Sequence, residues 1–324
     1  MQYRTLGHSG LKLSVIGLGS WLTFGNTVER DATRACVLAA WERGVNFIDT
    51  ANVYAKGAAE DVLGPILREL NRDELVLATK VYFPMGDGVN ERGLSRKHIR
   101  SQIEHSLRRL DVEYVDLYQC HRYDPSTPLE ETCEAMNDLV RRGLVLYWGV
   151  SEWNADQIAA AVTLCRARGW AVPISNQPQY SALWRRIEAR VLPTCEAYGL
   201  GNVVWSPIAM GILSGKYTDA SHPPAGTRAA GAYREMMEDY FTQPVLDAVQ
   251  KLKPLAERNG ITLVQLALGW VLHRPAVTSA IVGASNAKHV AENVAAGDVE
   301  LDAHTVDEIN RILEPVTPFE PYLA

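Results

Sequence analysis

The sequence predicts one α/β domain over residues 1–324, folded as a (β/α)8 barrel (TIM barrel). The chain has 324 residues, which is close to the usual length of that fold. Eight short apolar runs alternate with longer amphipathic segments, as the strands of a parallel sheet alternate with the helices that cover it. No linker rich in glycine and serine divides the chain. A single barrel is therefore favoured over two smaller domains or a doubly wound sheet.

The eight predicted strands are distributed along the whole chain. Each is short and mostly apolar, which is typical of strands that are buried on both faces. In chain order they are Ser14–Leu18, Val45–Ile48, Leu75–Thr79, Val115–Tyr118, Val145–Val150, Ile174–Asn176, Val203–Trp205 and Ala280–Val282.

Capping signals define several of the helices between these strands. The segment Ser95–Leu110 carries its apolar side chains on one stripe and starts with a serine that can cap it. Thr127, followed by a proline and then by Glu130, predicts a capping box, and Thr262 predicts a second one. Glycines that end a helix are predicted at Gly44, Gly143 and Gly199.

Three further segments complete the predicted domain. Tyr3–Leu13 is expected to form a β-hairpin that covers the bottom of the barrel, and Thr305–Leu313 is expected to form an outer C-terminal helix. The long loop Ile208–Tyr240 follows the seventh strand, so on a barrel it would overhang the active-site rim. Long loops are more often functional than not, although a surface insertion without function is the alternative.

Composition excludes several classes of function. The chain has 32 Lys and Arg against 38 Asp and Glu, a net charge of −6, so nucleic acid and anionic membranes are not expected partners. Five scattered cysteines without a C-x-x-C pair predict reduced thiols rather than a disulfide framework or a zinc site. No run of 18 apolar residues is present, so membrane insertion is not expected and the protein is predicted to be cytoplasmic.

Four ionisable side chains are predicted to meet at one rim of the barrel. Asp49 follows the second strand, and Tyr54 lies five residues later. Lys80 follows the third strand and His121 follows the fourth. Active sites of such barrels lie at the C-terminal ends of the strands, so these side chains should converge. Each alone has an ordinary structural explanation, but the four in this order predict a catalytic site.

These residue types suit the reduction of a carbonyl group. Hydride addition leaves an alkoxide that must be protonated, and a tyrosine with a pKa near 10 needs help to serve as the acid. A neighbouring lysine cation would lower that pKa, and an aspartate would keep the lysine charged. A neutral histidine can donate a hydrogen bond to the carbonyl oxygen. This chemistry needs no metal, and the sequence contains no HxH or HExxH pattern.

Short segments around these side chains form a recognisable set. They are Phe47–Tyr54, Ala78–Lys80, Tyr114–His121, Gly149–Ser151, Asn176–Gln177, Trp205–Pro207 and Gly283–Asn286, joined by Glu91–Ile99 and Tyr147–Gly149. In these segments the chain resembles the aldo-keto reductase superfamily, and most of all its branch containing the β subunits of voltage-gated potassium channels. The resemblance extends from about Tyr3 to Leu313.

The resemblance implies a role for each of the four rim residues. Tyr54 would be the proton donor, Lys80 and Asp49 the pair that tunes it, and His121 the group that orients the substrate. The animal channel subunits have asparagine where this chain has His121, whereas many working reductases have histidine. The chain is therefore expected to be an active enzyme of bacterial type rather than a channel accessory protein.

The resemblance also implies a nicotinamide cofactor, NADP(H) in preference to NAD(H). No G-x-G-x-x-G motif follows the first strand, so a Rossmann site is not expected. Ser151 and Gln177 would hold the carboxamide, Trp205 would stack on the nicotinamide, and Glu152 stands where asparagine is common in the superfamily. The long loop would cover the pyrophosphate, and the helix start after the eighth strand would bind the 2′-phosphate. The implied cofactor-binding residues are Gly19, Ser20, Trp21, Asp49, Ser151, Gln177, Trp205, Ser206, Pro207, Ile208, Gly211, Leu213, Ser214, Lys216, Arg228, Gly283, Ser285, Lys288, His289, Glu292 and Asn293.

The expected partner is a small-molecule carbonyl substrate in an aromatic-lined mouth. Candidate pocket residues are Trp21, Tyr82, Phe83 and Trp153, with Tyr233 and Met236 from the long loop. Two other functions stay open: a nucleotide-binding regulatory subunit with little turnover, and a metal-dependent hydrolase, for which the sequence lacks clustered ligands. The resemblance also suggests a homo-oligomer, a tetramer or an octamer.

Overall fold

Eight parallel strands close into a barrel, which confirms the predicted fold class. The computed structural model describes residues 1–25, 28–231 and 233–317. The strands follow one another around the barrel in chain order, and the last pairs with the first. They are β3 (Ile16–Gly19), β4 (Phe47–Asp49), β5 (Val76–Val81), β6 (Val115–Cys120), β7 (Val145–Ser151), β8 (Ser175–Gln177), β9 (Gly201–Val204) and β10 (Val277–Val282).

The helices surround the barrel and cover its outer face. Every residue of β5, β6 and β10 is buried, because one face of each strand fills the barrel and the other packs on helices. The helices are α1 (Arg30–Trp41), α2 (Ala58–Leu67), α3 (Arg96–Leu110), α4 (Leu129–Arg141), α5 (Ala155–Arg168), α6 (Val191–Tyr198), α7 (Gln243–Gln250), α8 (Lys253–Arg258), α9 (Leu263–Leu272), α10 (Ala287–Ala295) and α11 (Ala303–Leu313).

Two of the three predicted caps are confirmed and one is wrong. The Ser95 side chain accepts from the amide of His98, and Thr262 forms a full capping box at the start of α9. Thr127 does not cap α4, because its hydroxyl donates instead to Asp124 at 2.7 Å and the proline after it occupies the N-cap position. The predicted terminal glycines Gly44, Gly143 and Gly199 all have positive φ, as helix ends require.

The N-terminal hairpin closes the bottom of the barrel, as predicted. Its strands β1 (Tyr3–Thr5) and β2 (Lys12–Ser14) are antiparallel. Leu6 and Leu13 are fully buried and pack in a cluster with barrel side chains. The Arg4 guanidinium donates to the carbonyl of Val277 at 2.7 Å, at the N-terminal end of β10. The opposite end of the barrel is therefore the one left available for a site.

The long loop after β9 has short helical turns of its own. They are the 3-10 helices Ala209–Ser214, Arg228–Ala230 and Glu235–Met237. Within the first, Met210 and Gly211 have φ of 53° and 98°, which is left-handed backbone that glycine adopts without strain and methionine does not. The loop returns to the barrel at α7, so it spans the C-terminal rim. Residue 232 of this loop lies outside the described residues.

A buried carboxylate ties the rim to the helices behind it. Glu60 of α2 is completely buried, and it accepts from Thr79 of β5 at 2.5 Å and from the Arg109 Nε of α3 at 2.7 Å. The same carboxylate accepts from Ser106 at 3.2 Å. The elements α2, α3 and β5 therefore meet at the Glu60 carboxylate, which has hydrogen-bond donors on both oxygens. One of these donors is Thr79, the residue that precedes Lys80 in β5.

We expect Arg109→Met to destabilise the protein by about 3 kcal/mol, because it leaves the Glu60 carboxylate buried without its cation. The double variant Glu60→Gln/Arg109→Met should recover much of that loss, since no charge then remains uncompensated. Denaturant unfolding would measure both. Arg100→Met is the matched control, because it removes an exposed arginine paired with Glu104 and should cost at most about 0.5 kcal/mol. A loss for Arg109→Met no larger than for this control would contradict the interpretation.

Candidate active site

A cavity of about 520 Å³ opens at the C-terminal ends of the barrel strands. Its wall combines strand ends, the loop after β4 and the long loop after β9. Of the predicted site residues, those that line it are Gly19, Trp21, Asp49, Tyr54, Phe83, His121, Ser151, Gln177, Trp205, Ser206, Pro207, Ile208, Arg228, Met236 and Gly283. Side chains distant in sequence therefore share one cavity of ordinary ligand-binding size.

Lys80 lies behind this wall and joins two of the predicted catalytic residues. Its Nζ donates to Asp49 Oδ2 at 2.5 Å, to the Thr50 carbonyl at 2.8 Å and to the Tyr54 hydroxyl at 3.2 Å. Lys80 is completely buried and Asp49 is 3% exposed. All three ammonium donors therefore have acceptors, which is the condition for burying a charge at tolerable cost.

The electrostatics of this group keep the lysine charged and the tyrosine protonated. Burial opposes the charge of Lys80, but the Asp49 carboxylate and Tyr54 outweigh it, so the pKa of Lys80 is raised. Burial raises the pKa of Tyr54, and the opposing effect of Lys80 does not cancel it. Lys80 thus lowers the pKa of Tyr54 as expected, but the net shift is upward, because desolvation of the phenolate exceeds the attraction of the lysine.

The turn that presents Tyr54 has an unusual backbone. Ala55 and Lys56 both have positive φ, 49° and 53°, and Gly57 follows at 99°. Non-glycine residues in this region cost about 1–3 kcal/mol each and persist only where the surroundings enforce them. Here α2 begins immediately after the turn, and its buried Glu60 is anchored to β5. The tyrosine is thus held against Lys80 by a strained turn on a fixed support.

His121 follows β6 and lies across the tyrosine ring. The two ring centroids are 5.7 Å apart in an edge-to-face arrangement, and the Phe83 ring is 4.9 Å from the imidazole. Burial, with Lys80 and Arg122 as nearby cations, holds the pKa of His121 well below its ordinary value of 6.5. The imidazole is therefore neutral at pH 7, and it can donate one hydrogen bond to an oxygen in the cavity.

Asp49 is also held from across the barrel. The Gln177 Nε2, at the end of β8, donates to Asp49 Oδ1 at 2.8 Å. Ser151, at the end of β7, donates to the Gln177 carbonyl at 2.8 Å. Ser20 does not line the cavity, and its buried hydroxyl donates to Thr50 at 2.9 Å. Ser151 and Gln177, which the resemblance assigns to a carboxamide, therefore belong to the same hydrogen-bonded network as Asp49 and Lys80.

Glu152 has a role that the sequence did not reveal. It has a φ of 56°, and its Oε1 accepts from the Trp205 Nε1 at 2.8 Å and from the backbone amide of Gln179 at 2.5 Å. Trp21 packs edge-to-face on Trp205 with centroids 5.8 Å apart. The carboxylate therefore fixes the indole at the cavity wall, a contact that links the ends of three strands.

The remaining predicted cofactor residues do not line the cavity. Gly211 and Leu213 are buried, and the Ser214 hydroxyl donates to the Gly211 carbonyl at 2.7 Å. Lys216 is exposed. Asn286 caps α10, with its side chain accepting from the His289 amide at 3.0 Å. Five predicted residues lie in or just before α10 and outside the cavity lining, namely Ser285, Lys288, His289, Glu292 and Asn293.

Arg228 is the cation that the long loop places against the end of β10. It lines the cavity, and its Nη2 lies 3.8 Å from the position a Cβ on Gly283 would take. Burial lowers the pKa of its guanidinium. Among the residues that the structure describes, no carboxylate forms an ion pair with it. A half-buried cation without a counter-ion, close to the N-terminus of a nine-residue helix, favours an anionic ligand group.

The predicted substrate residues divide into two groups. Trp21, Phe83 and Met236 line the cavity, whereas Tyr82, Trp153 and Tyr233 do not. Trp153 is 2% exposed and packs edge-to-face on Tyr123. Sequence reasoning missed Arg122, which directly follows His121 and could have been found from its strand-end position. Other unpredicted lining residues are Leu22, Phe24, Val53, Ala55, Pro84, Met210, Ile281 and Val282.

Two further observations concern metals and membranes. Within residues 1–25, 28–231 and 233–317, no group of three or more His, Cys, Asp or Glu side chains is arranged to hold a metal ion. No helix in those ranges is both long and apolar enough to cross a bilayer. All five cysteines are buried and free.

The neutral state of His121 can be measured directly. We expect its imidazole NMR signals to titrate with a midpoint below the ordinary value of 6.5, because burial, Lys80 and Arg122 all disfavour the imidazolium. Arg122→Met should raise the pKa, since it removes one of the opposing cations. His121→Gln identifies the signal. A wild-type midpoint at or above 6.5 would contradict the assignment.

Comparison with known proteins agrees with this geometry. Residues 15–314 match the profile of the Aldo/keto reductase family. A probable voltage-gated potassium channel subunit beta from Oryza sativa subsp. japonica is 40% identical over 319 residues, 97% of each chain. A protein of the same name from Arabidopsis thaliana has the same identity and coverage. A putative one from Schizosaccharomyces pombe is 40% identical over 98% of this chain and 94% of its own. The resemblance found in the sequence is confirmed: the chain belongs to the aldo/keto reductase family.

Proposed function

We propose that the protein is an NADP(H)-dependent reductase of aldehydes and ketones. Membership of the family supports oxidoreductase activity in general. The finer assignment rests on one observation: at the cavity wall, a protonated Tyr54 is hydrogen-bonded to a charged, buried Lys80 and faces a neutral His121. An acid, a cation that stabilises its conjugate base, and a neutral donor are the groups that a carbonyl reduction requires.

Each residue has a definite part in this reaction. Held at the end of the cavity near Asp49, a nicotinamide cofactor would supply the hydride for the new C–H bond at the carbonyl carbon. The Tyr54 hydroxyl transfers its proton to the oxygen, so the carbonyl becomes an alcohol. Lys80 stabilises the phenolate left behind, and Asp49 holds the ammonium in place. His121 donates a hydrogen bond to the same oxygen and orients it, which favours the charge that develops there.

The described residues fit a cofactor that carries phosphates. Ser151 and Gln177 line the cavity close to Asp49, where they suit a carboxamide. Trp205 offers a flat ring held by Glu152. Arg228 suits a pyrophosphate, and the start of α10, with Lys288 and His289 exposed, suits a 2′-phosphate. The last assignment is the basis for proposing NADP(H) over NAD(H).

A second function is favoured by the names of the relatives, which are called potassium channel β subunits. In that case the protein would bind the cofactor and regulate a partner, with little turnover. The discriminating measurement is cofactor oxidation over a panel of short-chain, aromatic and dicarbonyl substrates. Rapid oxidation supports the reductase, whereas tight cofactor binding without oxidation supports the regulatory subunit. A homo-oligomer and a cytoplasmic location remain predictions.

We expect Tyr54→Phe to lower kcat for aldehyde reduction by about 10²- to 10⁴-fold, because the proton donor is removed. The Kd for NADPH, measured by fluorescence titration, should change little, since the substitution removes one oxygen beside Lys80. Tyr3→Phe is the matched control, as it removes a hydroxyl at the other end of the barrel that donates to Gly44. Turnover that persists in Tyr54→Phe would refute the proton-donor role.

We expect Arg228→Met to raise the Kd of both NADPH and NADH by about 10- to 100-fold, because a charge-assisted contact to the shared pyrophosphate is lost. Lys288→Met should raise the Kd of NADPH alone, since only that cofactor has a 2′-phosphate. Arg142→Met, on the exposed end of α4, is the control for loss of an arginine. Unchanged affinities in Arg228→Met, or a wild-type preference for NADH, would rule out the corresponding assignment.

A further inference from the structure

The charges on the cavity wall do not balance. Asp49 is the one acidic residue among the described lining residues, and both of its oxygens are already bonded, to Lys80 and to Gln177. Two arginines also line the wall, Arg122 and Arg228. The cofactor assigned above accounts for Arg228. Arg122 stands at the catalytic end, and nothing in that assignment uses it.

Arg122 is fixed in place by its neighbours. Its Nη1 donates to the carbonyl of His121 at 2.5 Å, and its Cζ lies 5.4 Å from the centroid of the Phe83 ring. The same phenylalanine ring packs edge-to-face on the imidazole of His121 at 4.9 Å. The guanidinium is therefore one aromatic ring away from the group that orients the carbonyl. A guanidinium has five N–H donors, so this single backbone contact leaves donors for a ligand.

No carboxylate of the described chain neutralises Arg122. It takes part in none of the ion pairs within residues 1–25, 28–231 and 233–317, although it is half-buried. Its charge is also felt at the site, because Arg122 is one of the causes, after burial and Lys80, that lower the pKa of His121. A partly desolvated charge is stabilised when a counter-ion reaches it. Since no described acidic side chain pairs with Arg122, an anionic ligand in the cavity can provide that counter-ion.

We propose that the physiological substrate is a small carbonyl compound with a carboxylate or phosphate group, and that Arg122 binds that group while the carbonyl faces Tyr54 and His121. The proposal rests on the reductase function proposed above. Arginine suits either anion, because its planar fork can donate two parallel hydrogen bonds to paired oxygens. The apolar wall formed by Trp21, Phe83 and Met236 suits the short carbon skeleton between the two ends.

The test compares charged substrates with neutral ones of similar shape. 4-Oxobutanoate is paired with its methyl ester, 4-carboxybenzaldehyde with its methyl ester, and glycolaldehyde phosphate with glycolaldehyde. For each pair the kcat/KM is measured with saturating NADPH. We expect the wild type to favour the anion in at least one class by about 10- to 100-fold, the size of a charge-assisted contact. A preference for the anion in the two carboxylate pairs would identify a carboxylate substrate, and a preference in the phosphate pair would identify a phosphate substrate.

Variants of the arginine isolate its contribution. Arg122→Met should reduce the anion-to-neutral ratio by about 10-fold or more, whatever its effect on the chemical step, because that effect divides out of the ratio. Arg122→Lys should retain part of the preference, since charge remains and the fork is lost. Arg142→Met should leave the ratio unchanged. Binding is also measured directly, by determining the Kd of benzoate and of benzamide for the protein saturated with NADPH. Only the Arg122 variants should raise the Kd of benzoate.

The outcomes separate this inference from the function on which it rests. If wild type oxidises NADPH with neither member of any pair, the reductase proposal fails. If it reduces neutral carbonyls at least as well as the anions, the reductase stands and the role of Arg122 is refuted. A raised Kd for NADPH in Arg122→Met, with an unchanged substrate ratio, would likewise overturn the proposal by assigning the guanidinium to the cofactor.

Discussion

The buried ion pair between Lys80 and Asp49 is the interaction on which the rest of the site depends. A completely buried ammonium would be strongly unfavourable without partners, and here it has a carboxylate, a backbone carbonyl and a phenol. These acceptors belong to β4 and to the turn after it, whereas Lys80 belongs to β5. Gln177 holds the other oxygen of Asp49 from across the barrel. The charge therefore fixes the relative positions of the groups that would carry out the chemistry.

Strain in the structure is concentrated at the same rim. In the described ranges, eight non-glycine residues have positive φ, and seven of them lie in loops at the C-terminal ends of the strands: Leu22, Ala55, Lys56, Glu152, Ser206, Ala209 and Met210. The hairpin and the packed strands at the bottom of the barrel contain none of these. Unfavourable backbone at a rim needs a rigid support, which the closed barrel and anchors such as Glu60 provide. Left-handed backbone is thus concentrated at the end of the barrel that carries the cavity.

The overall charge of the protein and the charge of its cavity have opposite signs. The chain has a net charge of −6, yet the lining residues combine one fully bonded aspartate with two arginines that form no ion pair within the described part of the chain. A low-dielectric cavity with fixed cations attracts anions even in an acidic protein. This local field agrees with a phosphorylated cofactor and with an anionic substrate. Burial is the main cause of the lowered pKa of His121, and the cations Lys80 and Arg122 add to it, because they would oppose a further positive charge.

The sequence by itself determined the eight strands, the hairpin, the loop after the seventh strand and the place at one rim of the four residues proposed as catalytic, because each depends on local pattern and on position at a strand end. Only the tertiary structure decided the features that depend on contacts between side chains of different elements. The Thr127 hydroxyl donates to Asp124 instead of capping α4, and Trp153 packs in the core instead of lining the cavity. The pKa of Tyr54 is raised by burial, Glu152 accepts from Trp205, and Arg122 lines the cavity with no carboxylate paired to it among the described residues. Desolvation, contact and charge balance depend on the whole environment of a group, and the spacing of residues along a chain does not contain that information.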